Sequence, residues 1–530
     1  MVTIQSDRTS APITLGLTHQ ELEGMARLFC LPVVSVAAFI AISVSHADTV
    51  ESPGCDGSTA KQCIALALDA MGGQQKLDAI HSIQLDIISH AALVEQSYRQ
   101  APFITSYERD KTTIDLAGQR IRTEAHAVWP ESDPHQAEFD NTLIATPTGG
   151  VYHSAQGDSP CSLADLDATR EALALGPLRV LSAAMQAADL HYEAAQTLRS
   201  TPHTVVAFTW NKTPVRILLN RFNHLPDAVE TTAQFHDFWY YWGDVQQRVY
   251  WDNWKYAQGI VYPTNEITER NGILWNSAQT LDVQFNVPVD EKNFAFDAKA
   301  AQQSAQQKGW ARPFHGDKST SLAQGIDLYS GSWNTTIVRQ QDGIVILETP
   351  ISNTFTQGIF EEAKKKYPGE KIKAVLSTSD SWPHVGGIRF DVTQGMPVYI
   401  LDLNQPLLDR MAAAPHISDP DALQTSPKKP DWKIVSAKVE IGTGPNRMEL
   451  YPIRGASTER QYMVYFPEHH LLYASDTLVM NPDKTLYDPE LMREVRQAVE
   501  REHLTVDTVY AMHQSPERWS DVVSLLEKTS

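Results

Sequence analysis

The chain has 530 residues, of which 42% are hydrophobic and 9% aromatic, and its formal net charge is −20. This length and composition exclude a single small domain and a largely disordered chain, and they favour roughly two to four folded domains. The negative net charge argues against a nucleic-acid partner, because it would repel the phosphate backbone.

An apolar stretch near the start predicts a secretory signal peptide. A run from Leu28 to Val44 follows the positive Arg27 and ends in the small-residue cleavage pattern Ser45-His46-Ala47. We therefore expect residues 1–47 to be a leader and signal peptide, with the signal itself from about Met25 to Ala47. The mature protein is predicted to be periplasmic or secreted and to have no transmembrane span.

Export would place the remaining cysteines in an oxidising compartment. Cys55 and Cys63 are close enough in sequence to form a small-loop disulfide, which would leave Cys161 unpaired. The sequence alone does not fix this connectivity.

Residues 48–298 are predicted to form a β-rich domain. They begin with a helical pattern, "TAKQCIALALDAMGG", that stops at Gly72-Gly73. Short β-branched or alternating runs follow, separated by turn residues, and include "IQLDIIS", "QRIRTEAHAVW", "HTVVAFTW" and "VRILLN". One helical insertion interrupts them, "SLADLDATREALALGPLRVLSAAMQAA". The pattern predicts a mainly antiparallel sheet with a few helices.

The most unusual part of this domain is an aromatic segment, "FHDFWYYWGDVQQRVYWDNWKYAQGIVYP". Gly243-Asp244 is predicted to turn a hairpin with aromatic residues on both arms. One interpretation is an aromatic surface for an apolar ligand or partner. The other, which is the more usual use of large aromatic residues, is cross-strand packing within the sheet.

The chain changes character after this domain. Residues 299–324 are rich in Ala, Gln, Lys and Ser and lack β periodicity, which predicts a linker with a short helix. Residues 325–530 then alternate between strand patterns such as "KIKAVLSTS" and helix patterns such as "NTFTQGIFEEAKKKYP". This alternation predicts an α/β domain with helices layered on a mixed sheet.

This second domain resembles the metallo-β-lactamase-fold hydrolases over roughly residues 325–520. Five pieces match the superfamily in order: the hairpin "NTTIVRQQDGIVILETP", the metal loop "KAVLSTSDSWPHVGG", a second metal loop "LYPIRGAS", the strand pair "MVYFPEHHLLYASD" and the histidine strand "TVYAMHQS". The resemblance implies an αββα sandwich and a metal-dependent hydrolase.

The family's metal loop reads Thr-His-x-His-x-Asp-His-x-Gly-Gly, and this chain retains little more than its end. Alignment on His-x-Gly-Gly places Ser379 and Ser381 at the two leading histidines and Pro383 at the aspartate. The next family histidine falls on Ala456. These four positions therefore lack the side chain that binds metal in the family, whereas His384 keeps it.

The bridging aspartate and the last histidine of the family are retained as Asp476 and His513. Together with His384, they imply at most one divalent metal ion, with zinc as the expected ion. Asp476 and His384 would then be the catalytic residues, beside a metal-bound water. The opposing interpretation is a filled pocket without metal, in which both histidines are hydrogen-bonded and Asp476 caps backbone amides.

Two other groups near the motif carry expectations. Glu348 follows the hairpin at a position where many relatives carry aspartate, so a structural role is expected. Ser379 and Ser381 lie near His384 in sequence, which would suit a nucleophile and base pair, although proximity in sequence is weak support for one.

The N-terminal domain is similar to the half-barrel of periplasmic lipoprotein-carrier proteins. This resemblance rests on the order of one helix and many strands, and it implies a concave apolar face that holds an acyl chain or another hydrophobic ligand. The predicted fold class is therefore α+β and α/β, with an antiparallel half-barrel-like domain followed by an αββα metallo-β-lactamase-like sandwich.

Two functions from different classes follow. The first is an exported hydrolase with a reduced, at most mononuclear metal site and an unidentified substrate. The second is a non-catalytic protein that keeps the fold and the cleft and binds a small-molecule or hydrophobic ligand without metal. Fold resemblance does not decide between them, because function depends on the site.

Overall fold

The computed structural model describes residues 54–94, 103–131, 137–316 and 318–528. The predicted signal peptide, from about Met25 to Ala47, lies outside these residues. Among the described helices, none combines the length and the apolar character needed to cross a lipid bilayer.

Within the described residues, the first half of the chain forms one antiparallel sheet of thirteen strands. In chain order they are β1 (Ser82–Ala92), β2 (Thr105–Asp115), β3 (Arg120–Trp129), β4 (Ala137–Thr146), β5 (Gly149–Tyr152), β6 (Ser159–Pro160), β7 (His191–Leu198), β8 (Thr201–Trp210), β9 (Thr213–Asn220), β10 (Pro226–Ala233), β11 (Val245–Ala257), β12 (Ile260–Arg270) and β13 (Ile273–Phe285). Their spatial order is β6-β5-β4-β3-β2-β1-β13-β12-β11-β10-β9-β8-β7. The predicted antiparallel sheet is confirmed.

Helices pack on this sheet through one hydrophobic core. They are α1 (Ala60–Ala70), α2 (Gln74–Asp78), α3 (Leu163–Leu175) and α4 (Val180–Gln186). Thr59 caps α1 and forms a capping box with Gln62. Leu68 of α1 and Leu181 of α4 share a core cluster with the strand residue Ile217. A disulfide joins Cys55 to Cys63, and Cys161 is a buried free thiol.

The second half contains a seven-stranded and a six-stranded sheet among the described residues. The first consists of β14 (Ser319–Ala323), β15 (Ile326–Tyr329), β16 (Thr335–Gln340), β17 (Gly343–Leu347), β18 (Ile372–Leu376), β19 (Pro397–Leu401) and β20 (Asp431–Val435). The second consists of β21 (Val439–Ile441), β22 (Met448–Pro452), β23 (Tyr462–Phe466), β24 (Leu471–Tyr473), β25 (Thr508–Tyr510) and β26 (Glu517–Arg518). In both sheets, the spatial order of the strands is the chain order.

The remaining helices are α5 (Ala298–Ala305), α6 (Asn353–Lys366), α7 (Trp382–Val385), α8 (Ile388–Gln394), α9 (Gln405–Ala413), α10 (Ala422–Thr425), α11 (Pro489–Arg501) and α12 (Trp519–Lys528). Helix α5 lies in the predicted linker, residues 299–324, and begins one residue before it. Because β14 at the end of that segment pairs with β15, the linker runs into the seven-stranded sheet. The domain limits themselves stay predictions.

The two sheets of the second half face each other across a shared core, and helices pack on their outer faces. Successive side chains of a strand point to opposite faces, and β23 shows this division. Its Val464 joins the core shared by both sheets. Its Met463 and Tyr465 join a second cluster with Met492 of α11. Mixed helices and large antiparallel sheets confirm the coarse α+β prediction, whereas the names half-barrel and sandwich stay predictions.

The aromatic segment differs from its prediction. The prediction of a hairpin at Gly243-Asp244 is wrong. The residues before Gly243 form no strand but a 3-10 turn, Tyr240–Trp242, within the connection between β10 and β11. A tight turn does occur in the segment, at Gln258-Gly259, where β11 pairs with β12.

This aromatic turn packs against the second half of the chain. Trp239, with 2% of its surface exposed, shares one cluster with Ile344 of β17 and Met411 of α9. The prediction of aromatic packing within the sheet describes the strand residues Trp251 and Tyr262, which lie in the core of the first half. It does not describe the residues before Gly243, which pack against the helices and strands of the other half. The segment therefore joins the two halves of the molecule.

Backbone contacts fix this junction. The backbone N–H of Asp244 donates to the carbonyl oxygen of Pro415 at 2.8 Å, and the Asp244 carboxylate accepts from the N–H of Ser418 at 3.1 Å. Gly243 has φ +67°, and a Cβ there would lie 2.4 Å from the carbonyl oxygen of Pro415. Only glycine combines this left-handed conformation with so close an approach.

We predict that Gly243→Ala destabilises the protein more than a matched change elsewhere. The control is Gly272→Ala, since Gly272 has φ +76° and nothing within 4 Å of an added Cβ. The control should cost about 1–2 kcal/mol of unfolding free energy for the left-handed conformation alone. Gly243→Ala should cost about 1–3 kcal/mol more, because the Pro415 carbonyl must move. Chemical unfolding measures both, and equal costs would contradict the described contact.

Candidate functional site

The candidate site lies where parallel strands of the two sheets end. Strand β17 pairs in parallel with β18, and β24 pairs in parallel with β25. Glu348 follows β17, and the segment leading to His384 on α7 follows β18. Asp476 follows β24 and His513 follows β25. Because the carboxyl ends of parallel strands meet at one edge, this topology brings the four side chains together.

Two histidines face one carboxylate at this edge. Nε2 of His384 lies 3.7 Å from Oδ2 of Asp476, and Nε2 of His513 lies 3.2 Å from its Oδ1. The structure thus places His384, Asp476 and His513 beside one another. Both pairs lie within ion-pair distance, and neither is aligned as a hydrogen bond among the described residues.

The Nδ1 atoms of both histidines face acceptors. Nδ1 of His513 lies 2.6 Å from the carbonyl oxygen of Ser332, to which it can only donate. Nδ1 of His384 lies 2.9 Å from Oε2 of Glu348, again at ion-pair distance without hydrogen-bond alignment. The sequence predicted a structural role for Glu348. Its position beside His384 identifies His384 as the residue on which Glu348 would act. A carboxylate behind a histidine orients its ring and fixes its protonation.

Glu348 is itself held by a buried network. Its Oε1 accepts from the hydroxyl and the backbone N–H of Thr378 and from the hydroxyl of Tyr473 at 3.3 Å. Thr378 also hydrogen-bonds Ser475 at 2.7 Å between their side-chain oxygens. Glu348 is 0% exposed, so these contacts replace the water that its charge would otherwise need.

Two backbone positions at the site adopt the left-handed conformation although they carry side chains. Glu348 has φ +71° and Ser475 has φ +58°. Each such residue costs on the order of 1–2 kcal/mol relative to an ordinary conformation. The buried network around Thr378 compensates for this cost and fixes the directions of Glu348 and Asp476.

Opposite charges close to one another shift the pKa of three side chains of the site. Burial alone would lower the pKa of His384, but the carboxylates of Glu348 and Asp476 outweigh it and raise that pKa to about 10. Burial would likewise lower the pKa of His513, and Asp476 outweighs it and raises that pKa. Burial would raise the pKa of Asp476, but the two histidines hold it well below its usual range. The neighbouring carboxylates thus favour the charged form of each histidine, and the two histidines favour the charged form of Asp476.

The metal ion that the family resemblance implies needs at least three donor side chains around one point. In the described part of the chain, no three His, Cys, Asp or Glu side chains are gathered closely enough to hold a metal ion as they stand. Two imidazoles and one carboxylate are nevertheless the donor types of a single divalent site. The Nε2 of His384 is buried without a hydrogen-bond partner. Ligand atoms around a tetrahedral zinc ion lie roughly 3.3 Å apart, close to the two nitrogen–oxygen separations described above.

The positions where family ligands are missing form no second site. Ser379 and Ser381 are buried, and Oγ of Ser379 accepts from the backbone N–H of Ser381 at 3.1 Å. Ala456 is exposed, and the side chain of Pro383 lies outside the described part of the structure. Because the ring nitrogens of His384 face Glu348 and Asp476, the proposed serine and base pair has no support in the geometry.

An ion pair that the sequence did not predict lies beside these serines. The Nε of Arg460 donates to Oδ2 of Asp380 at 3.0 Å, and both residues are 8% exposed. Asp380 lies within the aligned metal loop, but Arg460 is distant from it in sequence and belongs to no motif. A lone arginine in a loop gives no signal that distinguishes a buried ion pair from an ordinary surface charge.

A cavity of about 400 Å³ opens beside the site. Its polar lining includes Ser379, Ser381, Arg460, Asp476 and His513, together with the carboxylates of Asp380 and Asp488. The apolar lining comes largely from the N-terminal half, with Leu93, Ile104 and Pro130, joined by Leu491 of α11, and Trp129 lines the cavity as well. The side chains of Asp476 and His513 are 20% and 29% exposed, whereas His384 is 0% exposed. A ligand in the cavity would meet Asp476 and His513 and would not touch His384.

Comparison with solved structures finds proteins of the metallo-β-lactamase fold. The chain is similar to DIM-1 metallo-β-lactamase, with 18% identity, a TM-score of 0.31, and 40% of this chain and 97% of that chain covered. It is also similar to a metallo-β-lactamase from Pontibacter korlensis, with 17% identity, a TM-score of 0.32, and 39% and 98% covered.

A third similar structure is the stereoselective inverting sec-alkylsulfatase Pisa1 from Pseudomonas sp., with 14% identity and a TM-score of 0.29. That match covers 39% of this chain and 40% of the alkylsulfatase, so it spans less than half of either protein. No protein-family model matches the sequence, and no curated protein sequence matches it.

We predict that the metal-free protein loses stability as the pH rises from 7 to 9. The pKa of His384 is about 10 in the folded protein and 6.5 ordinarily, so the folded state binds this proton more tightly than the unfolded state. The resulting stabilisation is complete below about pH 6.5 and is lost as the pH approaches 10. Chemical unfolding of chelator-treated protein should show a fall of about 2–3 kcal/mol between pH 7 and pH 9.

Two variants isolate this effect. Glu348→Gln should reduce stability at pH 7 and remove most of the slope, because it deletes the carboxylate that raises the pKa of His384. His470→Asn should leave the slope unchanged, since His470 is exposed and pairs with Asp507 away from the site. A slope that survives in Glu348→Gln would contradict the described effect of Glu348 on the pKa of His384.

Proposed function

We propose that this protein is an exported metallo-β-lactamase-fold hydrolase with at most one divalent metal ion, zinc by preference. His384, Asp476 and His513 would hold the ion. The observation that carries the proposal is the convergence of both Nε2 atoms on the two oxygens of Asp476, while both Nδ1 atoms face other acceptors. That arrangement directs the metal-binding nitrogen of each ring toward the same carboxylate.

A divalent ion in such a site supplies a hydroxide at neutral pH and polarises the group under attack. The remaining roles belong to the chain's own residues. Glu348 holds the ring of His384 in place, and the backbone N–H of Asp476 donates to Oε1 of Gln461 at 3.0 Å, which fixes the loop after β24. Asp476 and His513 form the part of the site that a substrate in the cavity would reach.

The proposal of two facing sheets with outer helices, an αββα sandwich, is supported by the layer order of the second half. Strands β16 and β17 form its hairpin, and β24 leads directly to Asp476, as the family resemblance implies. The half-barrel assignment of the N-terminal half has weaker support. A half-barrel of this kind would hold a ligand on its concave apolar face, whereas helices α1, α3 and α4 share a core cluster with this sheet.

Export is also part of the proposal. Its support is the sequence pattern from about Met25 to Ala47 together with the disulfide between Cys55 and Cys63. Disulfides of this kind persist in oxidising compartments such as the periplasm and the extracellular space. We therefore propose a periplasmic or secreted location.

A non-catalytic ligand-binding protein is the second candidate function, and two observations favour it. The carboxylates of the cluster raise the pKa of both histidines, so protons on the imidazoles can take the place of a divalent ion. The described side chains are also not gathered around a metal position as they stand. In this case, the cavity beside Asp476 would bind its ligand without hydrolysing it.

Metal analysis of the full mature chain separates the two functions. The hydrolase proposal predicts at most about one zinc ion per chain after zinc loading. His513→Ala should abolish zinc binding, and His470→Ala is the matched control because it removes a histidine outside the site. Zinc affinity should rise at least about ten-fold between pH 6.5 and pH 7.5, because binding must displace protons from two imidazoles whose pKa is raised.

The outcomes differ clearly. One zinc ion together with zinc-dependent hydrolysis of nitrophenyl esters supports the hydrolase. Absence of binding up to pH 8.5 supports the second candidate function. A stoichiometry near two would show that the ligands were assigned wrongly, because Ser379 and Ser381 offer no imidazole.

A further inference from the structure

Three residues that line the cavity beside the site carry buried donor atoms that make no aligned hydrogen bond. Among the described residues, Nε1 of Trp129, Oγ of Ser381 and Nη2 of Arg460 are buried without a hydrogen bond. All three residues line the same cavity. Arg460 is 8% exposed and Ser381 is 9% exposed, so bulk water does not satisfy them.

Arg460 retains unused capacity although it pairs with Asp380. Its Nε donates to Oδ2 of Asp380 at 3.0 Å. Its Nη2 lies 2.9 Å from that same oxygen without hydrogen-bond alignment. A guanidinium has five N–H donors arranged for planar, paired recognition of carboxylate and phosphate oxygens. One carboxylate oxygen therefore uses only part of what Arg460 can donate.

Buried donors without acceptors destabilise a folded protein, so native structures rarely keep them without a bound partner. Three such groups around one cavity indicate that its occupant supplies hydrogen-bond acceptors. The nearby carboxylates are engaged elsewhere: Asp380 pairs with Arg460, Asp476 faces the two histidines, and Asp488 accepts from the backbone N–H of Glu490 at 3.1 Å. None of them occupies the donors of Trp129 or Ser381.

The apolar lining of the cavity indicates the rest of the ligand. Leu93, Ile104 and Leu491 belong to it, and they offer no side-chain hydrogen bond. A volume of about 400 Å³ is near the lower end of the range for small-molecule sites. Such a cavity matches a molecule with a short apolar chain and one polar end.

We propose that the cavity binds a small organic oxyanion, in which a carboxylate, sulfate or phosphate head accepts hydrogen bonds from Arg460, Ser381 and Trp129 while a short alkyl chain packs on Leu93, Ile104 and Leu491. This inference rests on the proposed function in one respect, since it takes the cavity beside Asp476 and His513 as the binding site. It names the ligand class that either candidate function would use.

Calorimetric titration of the full mature chain tests this proposal. Octanoate is the carboxylate probe, and octyl phosphate distinguishes a preference between head groups. Octan-1-ol lacks the charge, and acetate lacks the chain. We expect octanoate to bind at least about ten-fold more tightly than octan-1-ol and than acetate, because each control removes one of the two contacts. Equal binding of octanoate and octan-1-ol would overturn the head-group assignment.

Conservative variants locate the head group. Ser381→Ala and Trp129→Phe remove donors that have no described partner, so both should keep the wild-type melting temperature. Each should weaken octanoate binding about three- to ten-fold. Matched controls are Ser524→Ala and Trp432→Phe, whose side chains donate to Ser520 and Asp409 outside the cavity. Unchanged octanoate affinity in both cavity variants would overturn the proposal.

Arg460→Gln should have the largest effect, at least about thirty-fold on octanoate and little on octan-1-ol. This variant also leaves Asp380 unpaired, so Asp380→Asn with Arg460→Gln is tested beside it. Each titration is run on metal-free and on zinc-loaded protein. Loss of octanoate binding with retained zinc binding would overturn only the ligand inference, whereas octanoate binding without any zinc binding supports it and removes the hydrolase proposal.

Discussion

The second half of this protein depends on two carboxylates and two imidazoles that lie within ion-pair distance of one another. Glu348 and His384 are fully enclosed, and Asp476 and His513 complete the group at the edge of a cavity. Each side chain comes from the end of a different strand or from the helix that follows one. A change in any one leaves a buried charge without its counterpart, which costs far more than the loss of an exposed ion pair. This constraint holds together the two sheets at the edge where their parallel strands end.

The same constraint bears on both candidate functions. A divalent ion and two protons carry the same positive charge, so the two carboxylates can be neutralised in either way. The surrounding network of Thr378, Tyr473 and Ser475 serves the carboxylate of Glu348 in both cases. Retention of His384, Asp476 and His513 is therefore compatible with both candidate functions, and only their occupancy by protons or metal distinguishes them.

The sequence predicted the local parts of this structure well. Periodicity located the strands of the first sheet and the helices α3 and α4, because alternation and helical spacing are local properties. The convergence of His384, Asp476 and His513 was also predictable, since each follows a strand whose place the family resemblance implied. Their ligand roles stay predictions.

Contacts between the two halves were not predictable in this way. The expected turn at Gly243 was wrong because the residues before it are fixed by the other half of the chain and not by a strand partner. The partners of Arg460 and the position of Trp129 across the cavity likewise depend on residues distant in sequence. Local patterns contain no information on such pairs.

The aromatic segment that crosses from one half to the other has a consequence for how the chain unfolds. Trp239 and its neighbours belong to the core of the second half, although they lie in the connection between two strands of the first sheet. Unfolding of either half would expose these rings to water. It would also disrupt the cavity, because residues of both halves line it. The molecule should therefore unfold in a single cooperative transition. An isolated second half would expose a large apolar surface at the place where these tryptophans pack.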